Sequence, residues 1–409
     1  MTAPHPTRRR GGLLWHRDFR LLWVGDTISQ LGTEVSVLAL PLVAVLYLDA
    51  STFEVGVLTA LQFAPFLLIG LPAGAWCDRV RRRPVMIAGD LIRAALLASI
   101  PIAAATGVLS VGQLFGVALL HGIATVFFDV SYQSYLPSLV GRDGLVEGNA
   151  KLQASQSVAQ VAGPTLGGFL VQMFTAPFAV LADAVSFVVS AVCVGGIRTA
   201  EPYPERPERR HLGKEIGEGL GFVLRHPILR MIAATTGTSN LFNSAFFAIA
   251  VVFLVRGLHL SAGVIGVLMS AGSVGGILGA LSASVIARRI GQARTIWLSL
   301  AATAPFGLLI PLAQPGAGLA LFAVGTFTFS FGAVVYNVAQ VSFRQALCPP
   351  RLLGRMNATV RFLVWGTMPL GGLLGGALGT WIGLRPQRPK KLTIGNWGSV
   401  ATVGTPICR

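Results

Sequence analysis

Charge is what this sequence has least of. Only 12% of its 409 residues are Asp, Glu, Lys or Arg, about half the share that clothes a soluble domain in polar surface. Acids are the scarcer sign, 16 against 32 Lys and Arg. The four cysteines, Cys77, Cys193, Cys348 and Cys408, are scattered without paired or metal-ligand spacing, which argues against a disulfide framework and against a zinc module. There is no phosphate loop, no metal-ligand cluster and no nucleophile–base pair. No enzyme activity, cofactor or metal is therefore expected. Without a nucleotide site, any work the chain does must draw on an ion gradient, and inward proton movement is the simplest.

What the chain has instead is apolar length. Hydrophobic residues make up 53%, and mean hydropathy is +0.68. Runs able to cross a hydrocarbon core of about 30 Å occur at 20–47, 55–77, 84–106, 111–136, 151–173 and 176–197, then at 228–255, 262–286, 293–313, 317–342 and 359–382. The expected fold class is an all-α integral membrane protein. Residues 1–197 form an N-terminal six-helix half, 198–227 a solvated linker, 228–386 a C-terminal half of five helices, and 387–409 a polar tail. The tail, beginning Gln387-Arg-Pro-Lys-Lys391, cannot span. With eleven spans its cations fall on the outside, so a truncation or shifted reading frame near residue 387 is expected, costing the twelfth helix.

The net charge of +16 would suggest nucleic acid in a soluble protein. Here the arginines sit in short turns between apolar runs, so they read as orientation signals and no nucleic-acid partner is expected. With the N-terminus cytoplasmic, inner loops carry Arg79–Arg83, Arg142, Lys151, Arg288, Arg289, Arg294, Arg344, Arg351 and Arg355, whereas the outer loops carry essentially only Arg256. Met1–Gly12 reads as a retained cytoplasmic tail. The expected location is the cytoplasmic (inner) membrane, multi-pass, as a monomer. The halves also repeat. At a spacing of 208, Asp129 falls on Asn337, Leu145 on Leu353, Asn149 on Asn357 and Ala150 on Ala358, a layout that fits alternating-access carriers.

Ionisable groups inside a membrane are costly and face a cavity or each other. Asp26 and Glu34, eight apart on the first helix and so on one face, are proton-coupling candidates, because a carboxylate in low dielectric can load and release a proton near neutral pH. The other reading is a side chain satisfied by hydrogen bonds from neighbouring helices. Asp90 and Arg93, three apart on the third helix, can pair, and a structural ion pair is the better reading. Asp183 reads as a buried hydrogen-bonding group and His121 as a packing histidine. Cavity candidates are aromatic and amide side chains: Gln62, Phe128, Tyr132, Asn240, Asn243, Asn337 and Trp365. Few charges and many rings suit a small, amphipathic, neutral or cationic substrate.

The loop Gly74-Ala-Trp-Cys-Asp-Arg-Val-Arg-Arg-Arg-Pro-Val-Met86, between the second and third runs, resembles the signature loop of the major facilitator superfamily. That family's usual pattern has Gly where this chain has Arg81. Gly163-Pro164-Thr165-Leu166-Gly167-Gly168 resembles the antiporter signature of drug–proton exchangers, though Ala159 stands where an upstream glycine is usual. Physically, Pro164 frees a carbonyl and bends the helix, and the glycines admit a close neighbour. The stretch Phe127–Val140, followed by Leu145–Ala150, is similar to the branch that holds the enterobactin exporter and macrolide or tetracycline efflux pumps. The resemblance implies the facilitator fold, two six-helix halves here lacking the last helix. It also implies a charge relay of Asp78, Arg82 and Asp129 that latches one conformation, and proton-coupled efflux of drugs or secondary metabolites. A siderophore exporter, and a non-transporting receptor or inactive truncated chain, are the alternatives.

Overall fold

Hydrocarbon offers no hydrogen bonds, so a lipid-crossing segment must satisfy its backbone as a helix or a closed barrel. The computed structural model describes residues 13–77, 80–199, 201, 212–348 and 353–381, and among these every regular element is helical. In chain order they are α1 Arg17–Leu42, α2 Thr52–Leu68, α3 Gly70–Cys77, α4 Arg82–Ala105, α5 Val111–Phe174, α6 Ala176–Gly195, α7 Leu212–Arg225, α8 Pro227–Val252, α9 Ala262–Ile290, α10 Gln292–Thr303, α11 Leu319–Leu347, α12 Leu353–Trp365 and α13 Met368–Trp381.

Nine helical stretches among the described residues are long and apolar enough to cross a membrane. The pair α2–α3 and the second arm of α5 bring the crossings to eleven. The expected span 55–77 is one crossing in two pieces, since α2 ends at Leu68 with Ile69 as its C-cap, four residues after Pro65. Residues 111–174 run as one helical stretch, interrupted at Gly141 (φ 70°, ψ 171°). That left-handed φ suits a residue without Cβ, and it divides α5 into arms 111–140 and 142–174. Pro164 lies within the second arm without a break in its helical backbone angles, so the bend expected there is not a helix break.

The halves repeat more closely in backbone than in sequence, at a spacing of 210. His16 and His226 each cap the first helix of their half through Nδ1, accepting from the N–H of Phe19 and of Leu229. Both first helices close with a π-helical turn, Val43–Tyr47 and Phe253–Gly257. A left-handed residue follows each, Asp49 (φ 48°) and His259 (φ 54°), and then a serine N-cap, Ser51 and Ser261.

Three apolar cores show how the halves meet. One core lies at the end of the bundle that holds the loops 48–51 and 258–261. It draws on both halves, including Leu42, Leu58, Val180, Leu254, Ile265 and Phe322. At the opposite end, which carries Arg82, Arg83, Arg288 and Arg289, there are two separate cores. One belongs to the first half (Phe19, Met86, Leu136, Leu152, Ile197), the other to the second (Val223, Leu229, Met356, Val360). The halves are thus joined at the far end and part towards the basic end.

Two glycine seams make the junction. Gly56 of α2 lies against Gly372 and Gly376 of α13, and Gly266 of α9 lies against Pro164 and Gly168 of α5. Gly56 and Gly266 occupy equivalent places in the repeat, and a Cβ on either would overlap backbone of the other half. Thr165 Oγ1 and Ser270 Oγ bond across the second seam at 2.8 Å, and Ser270 also donates to the Val161 carbonyl at 2.7 Å. On the same rim Arg256 Nη2 meets Asp49 Oδ1 at 2.6 Å.

The linker is less solvated than its composition suggests. Asp18 accepts from the N–H groups of Arg198 (3.2 Å) and Thr199 (2.8 Å). Glu201 accepts from the N–H groups of Arg82 (2.7 Å) and Arg83 (3.2 Å) at the start of α4. Residues 212–225 form α7, whose Val223 is buried with Leu229 and Met356. In the first half α6 packs on both α1 and α4. The second half has no counterpart to α6 among the described residues, and Phe242 and Phe247 of α8 and Trp297 of α10 are exposed, as lipid-facing side chains are.

Candidate functional site: a polar cavity in the first half

Towards the basic end, a cavity of about 530 Å³ is walled by α1 and both arms of α5. Asp26 and Gln30, one turn apart on α1, supply one wall. Tyr132 comes from the first arm of α5, and Asn149, Gln153 and Gln156 from the second. The last three recur at i, i+4 and i+7, which is one face of a helix. Such a wall offers a carboxylate, a phenol and four amides, a set that can hydrogen-bond donors and acceptors alike and carries a single acid. The second arm meets α1 closely just behind it, where Thr27 Oγ1 donates to Ser155 Oγ at 3.0 Å.

Of the residues singled out in the sequence, Asp26 (5% exposed) and Tyr132 line this cavity. Asp129 is half-buried within electrostatic reach of both. Glu34, two turns further along α1, is half-buried with its Cβ against Gly163, and its neighbour Val35 lies against Gly167. The antiporter-like segment thus receives α1 on Gly163 and Gly167 and the other half on Gly168. Asp78 lies outside the described residues. Cys77, just before it, donates to the Phe127 carbonyl at 3.9 Å and accepts from Ser131 Oγ at 3.5 Å, which brings the end of α3 to the two sides of Asp129. Arg82 lies 4.0 Å from Glu201 in the linker.

Phe128 is not among the residues lining this cavity. It is 6% exposed, stacks on Tyr132 with centroids 5.9 Å apart, and covers the Arg93 guanidinium at 4.1 Å. Phe187 covers the other face of Arg93, also at 4.1 Å, and Arg93 Nη2 bonds Asp90 Oδ1 at 2.5 Å. Gln62, Asn240 and Asn243 are half-buried on α2 and α8. Asn337 Oδ1 accepts from Gln340 at 2.9 Å, and Trp365 meets Phe66 of the other half edge-on at 5.0 Å. These five are not among the residues lining the cavity. Gln30, Gln153 and Gln156 line the cavity although residue type alone does not mark them; the helical spacing of Asn149, Gln153 and Gln156 is the signal the sequence carries.

The Major Facilitator Superfamily domain matches residues 22–372. The chain belongs to that superfamily. Among relatives of this major facilitator, the multidrug efflux pump Tap of Mycolicibacterium fortuitum is 27% identical, over 92% of this chain and 91% of its own length. Macrolide efflux protein A of Streptococcus pyogenes is 23% identical over 90% and 91%. The enterobactin exporter EntS of Escherichia coli O1:K1 / APEC is 24% identical over 84% and 80%. Among solved structures, the nucleoside transporter NupG superposes with a TM-score of 0.74 at 12% identity, covering 88% of this chain and 90% of that one. A bacterial homologue of ferroportin, in an inward-facing state, gives 0.67 at 18% over 88% and 91%. The facilitator fold is therefore shared, and the chain is a multi-pass membrane protein related to efflux pumps.

Proposed function

We propose that this facilitator exports small amphipathic molecules in exchange for protons, by alternating access across the cytoplasmic membrane. The polar cavity carries this reading. It holds one acid, Asp26, among amides, and lies where the halves part, beneath a far end that apolar packing seals. If the basic loops face the cytoplasm, as the charge rule requires, the N-terminus is cytoplasmic and the cavity opens to the compartment from which an exporter loads.

In this scheme residues 1–197 and 228–386 are the two rocking bodies, joined by 198–227, and the working unit is a monomer. Asp26 and Glu34 carry the exchanged proton: one at the cavity, the other where α1 leans on Gly163. Asp78, Arg82 and Asp129 latch the alternative conformation, in which Arg82 exchanges Glu201 for the relay. A relay of this kind is bistable, and making it favours one arrangement of the halves.

The test is flux in proteoliposomes with an imposed pH gradient and a radiolabelled macrolide. Uptake against the macrolide's gradient, abolished when the pH gradient is collapsed, is expected; absence of flux under both conditions overturns the reading. A siderophore or secondary-metabolite cargo is the second reading, favoured by the enterobactin-exporting relative. The secreted-metabolite profile of a deletion strain separates the two.

A further inference from the structure

Behind the cavity wall lies a second group of titratable side chains that the scheme above does not use. Asp183 of α6 is 0% exposed. Its Oδ1 accepts from Ser186 Oγ at 3.1 Å, and that hydroxyl is shared with the Asp183 carbonyl at 2.8 Å. Its Oδ2 is buried, with no partner at hydrogen-bond distance. From α1 it is faced by Gly32, whose missing side chain makes its room, and by Ser36. From α4 it is faced by Asp90 and Arg93.

The charges do not balance. Arg93 is the one cation within reach of Asp183, and Asp90 already holds it at 2.5 Å. Asp90 is itself 0% exposed, and besides Arg93 only the Ser190 hydroxyl of α6, among the described residues, faces its carboxyl. Rings on both faces hold the guanidinium flat between Phe128 and Phe187, and its Nε is buried without a partner, so a single cation stands between two acids. His121, whose ring lies 5.8 Å from that of Phe187, cannot supply the missing charge: its Nε2 has no acceptor and Arg93 is near. Two ionised carboxylates on one guanidinium would leave a net charge in the helix core, the arrangement a low-dielectric interior least tolerates.

We propose that Asp183 and Asp90 form a second protonation site, holding one proton between the two carboxyls and exchanging it with the cavity by way of Asp26. Asp26 lies within electrostatic reach of Asp90, so the acids run from the cavity wall into the half. This second site rests on the proposed proton coupling for its purpose, but not for its test.

The test is infrared spectroscopy of the purified full chain in detergent at neutral pH, reading the C=O stretch that only protonated carboxyls give. Asp183→Asn is expected to remove one carboxyl band per chain. Asp90→Asn leaves Asp183 alone with Arg93, so Asp183 ionises and one carboxyl band is again lost although Asp183 is untouched. Bands unchanged in both variants mean both acids are ionised in the native protein, and the proposal is overturned. If Asp183→Asn does not fold, Asp90→Asn decides alone. A wild-type chain that moves no macrolide in proteoliposomes would sink the efflux reading and leave the infrared result standing.

Discussion

Arg256 and Asp49 belong to different halves of the protein, and their side chains meet at 2.6 Å on the far rim. Arg256 ends the first helix of the second half. Asp49 is the left-handed residue that closes the equivalent turn in the first. The pair therefore forms only when the two repeats lie edge to edge.

An exposed pair of this kind is worth at most about 1 kcal/mol, and Asp49's side chain is 94% exposed. Arg256→Ala is therefore expected to shift the balance towards far-end opening by no more than about fivefold. Spin labels placed across the rim and read by double electron–electron resonance check this. A distance distribution identical to wild type would mean the pair is bystander chemistry.

The glycine seams should matter far more. At Gly56 and Gly266 any side chain meets backbone of the other half, and overpacking costs about 1–3 kcal/mol. Gly266→Val is expected to hold the far end apart, with cysteines behind the seam labelled by an impermeant maleimide and macrolide flux lost at normal expression. Gly56→Val should give the same phenotype, because the repeat places the two glycines equivalently.

Removing the acid from the cavity tests coupling directly. Asp26→Asn and Glu34→Gln keep shape and remove charge. Each is expected to abolish uphill flux driven by a pH gradient. Flux that still follows the gradient in Glu34→Gln would take that residue out of the mechanism.

Glu201 acts as a cap on α4 from outside the helix, accepting from both Arg82 and Arg83 N–H groups. Caps of this sort contribute about 1 kcal/mol. Glu201→Ala should lower the melting temperature in detergent by a few degrees and free Arg82. A melting curve superimposable on wild type would show that the linker contact carries no stability.

The crossings were legible because bilayer solvation writes a long, simple signal. Only boundaries moved, as where Pro65 turned 55–77 into α2 and α3. Composition puts Glu201 in a solvated linker, whereas it accepts from the backbone N–H groups of Arg82 and Arg83, remote in sequence. The cavity was half legible. Residue type points to Tyr132 and Asp26, but type alone cannot tell which face of a helix looks inward, so it points to Asn240 and Asn243 as readily and misses Gln153 and Gln156. The repeat was visible downstream at 208 and hidden upstream at 210, where what recurs is a backbone turn that Asp49 and His259 adopt with unlike side chains.

In the proposed cycle of alternating access the three cores make the two strokes unequal. Drawing the basic ends together brings two already finished interiors into contact and wets nothing that was dry. Parting the far end must split a single oily interior and hydrate both surfaces, a cost that grows with every square ångström. On the proposed cycle the empty protein is therefore expected to favour the arrangement open towards its basic loops.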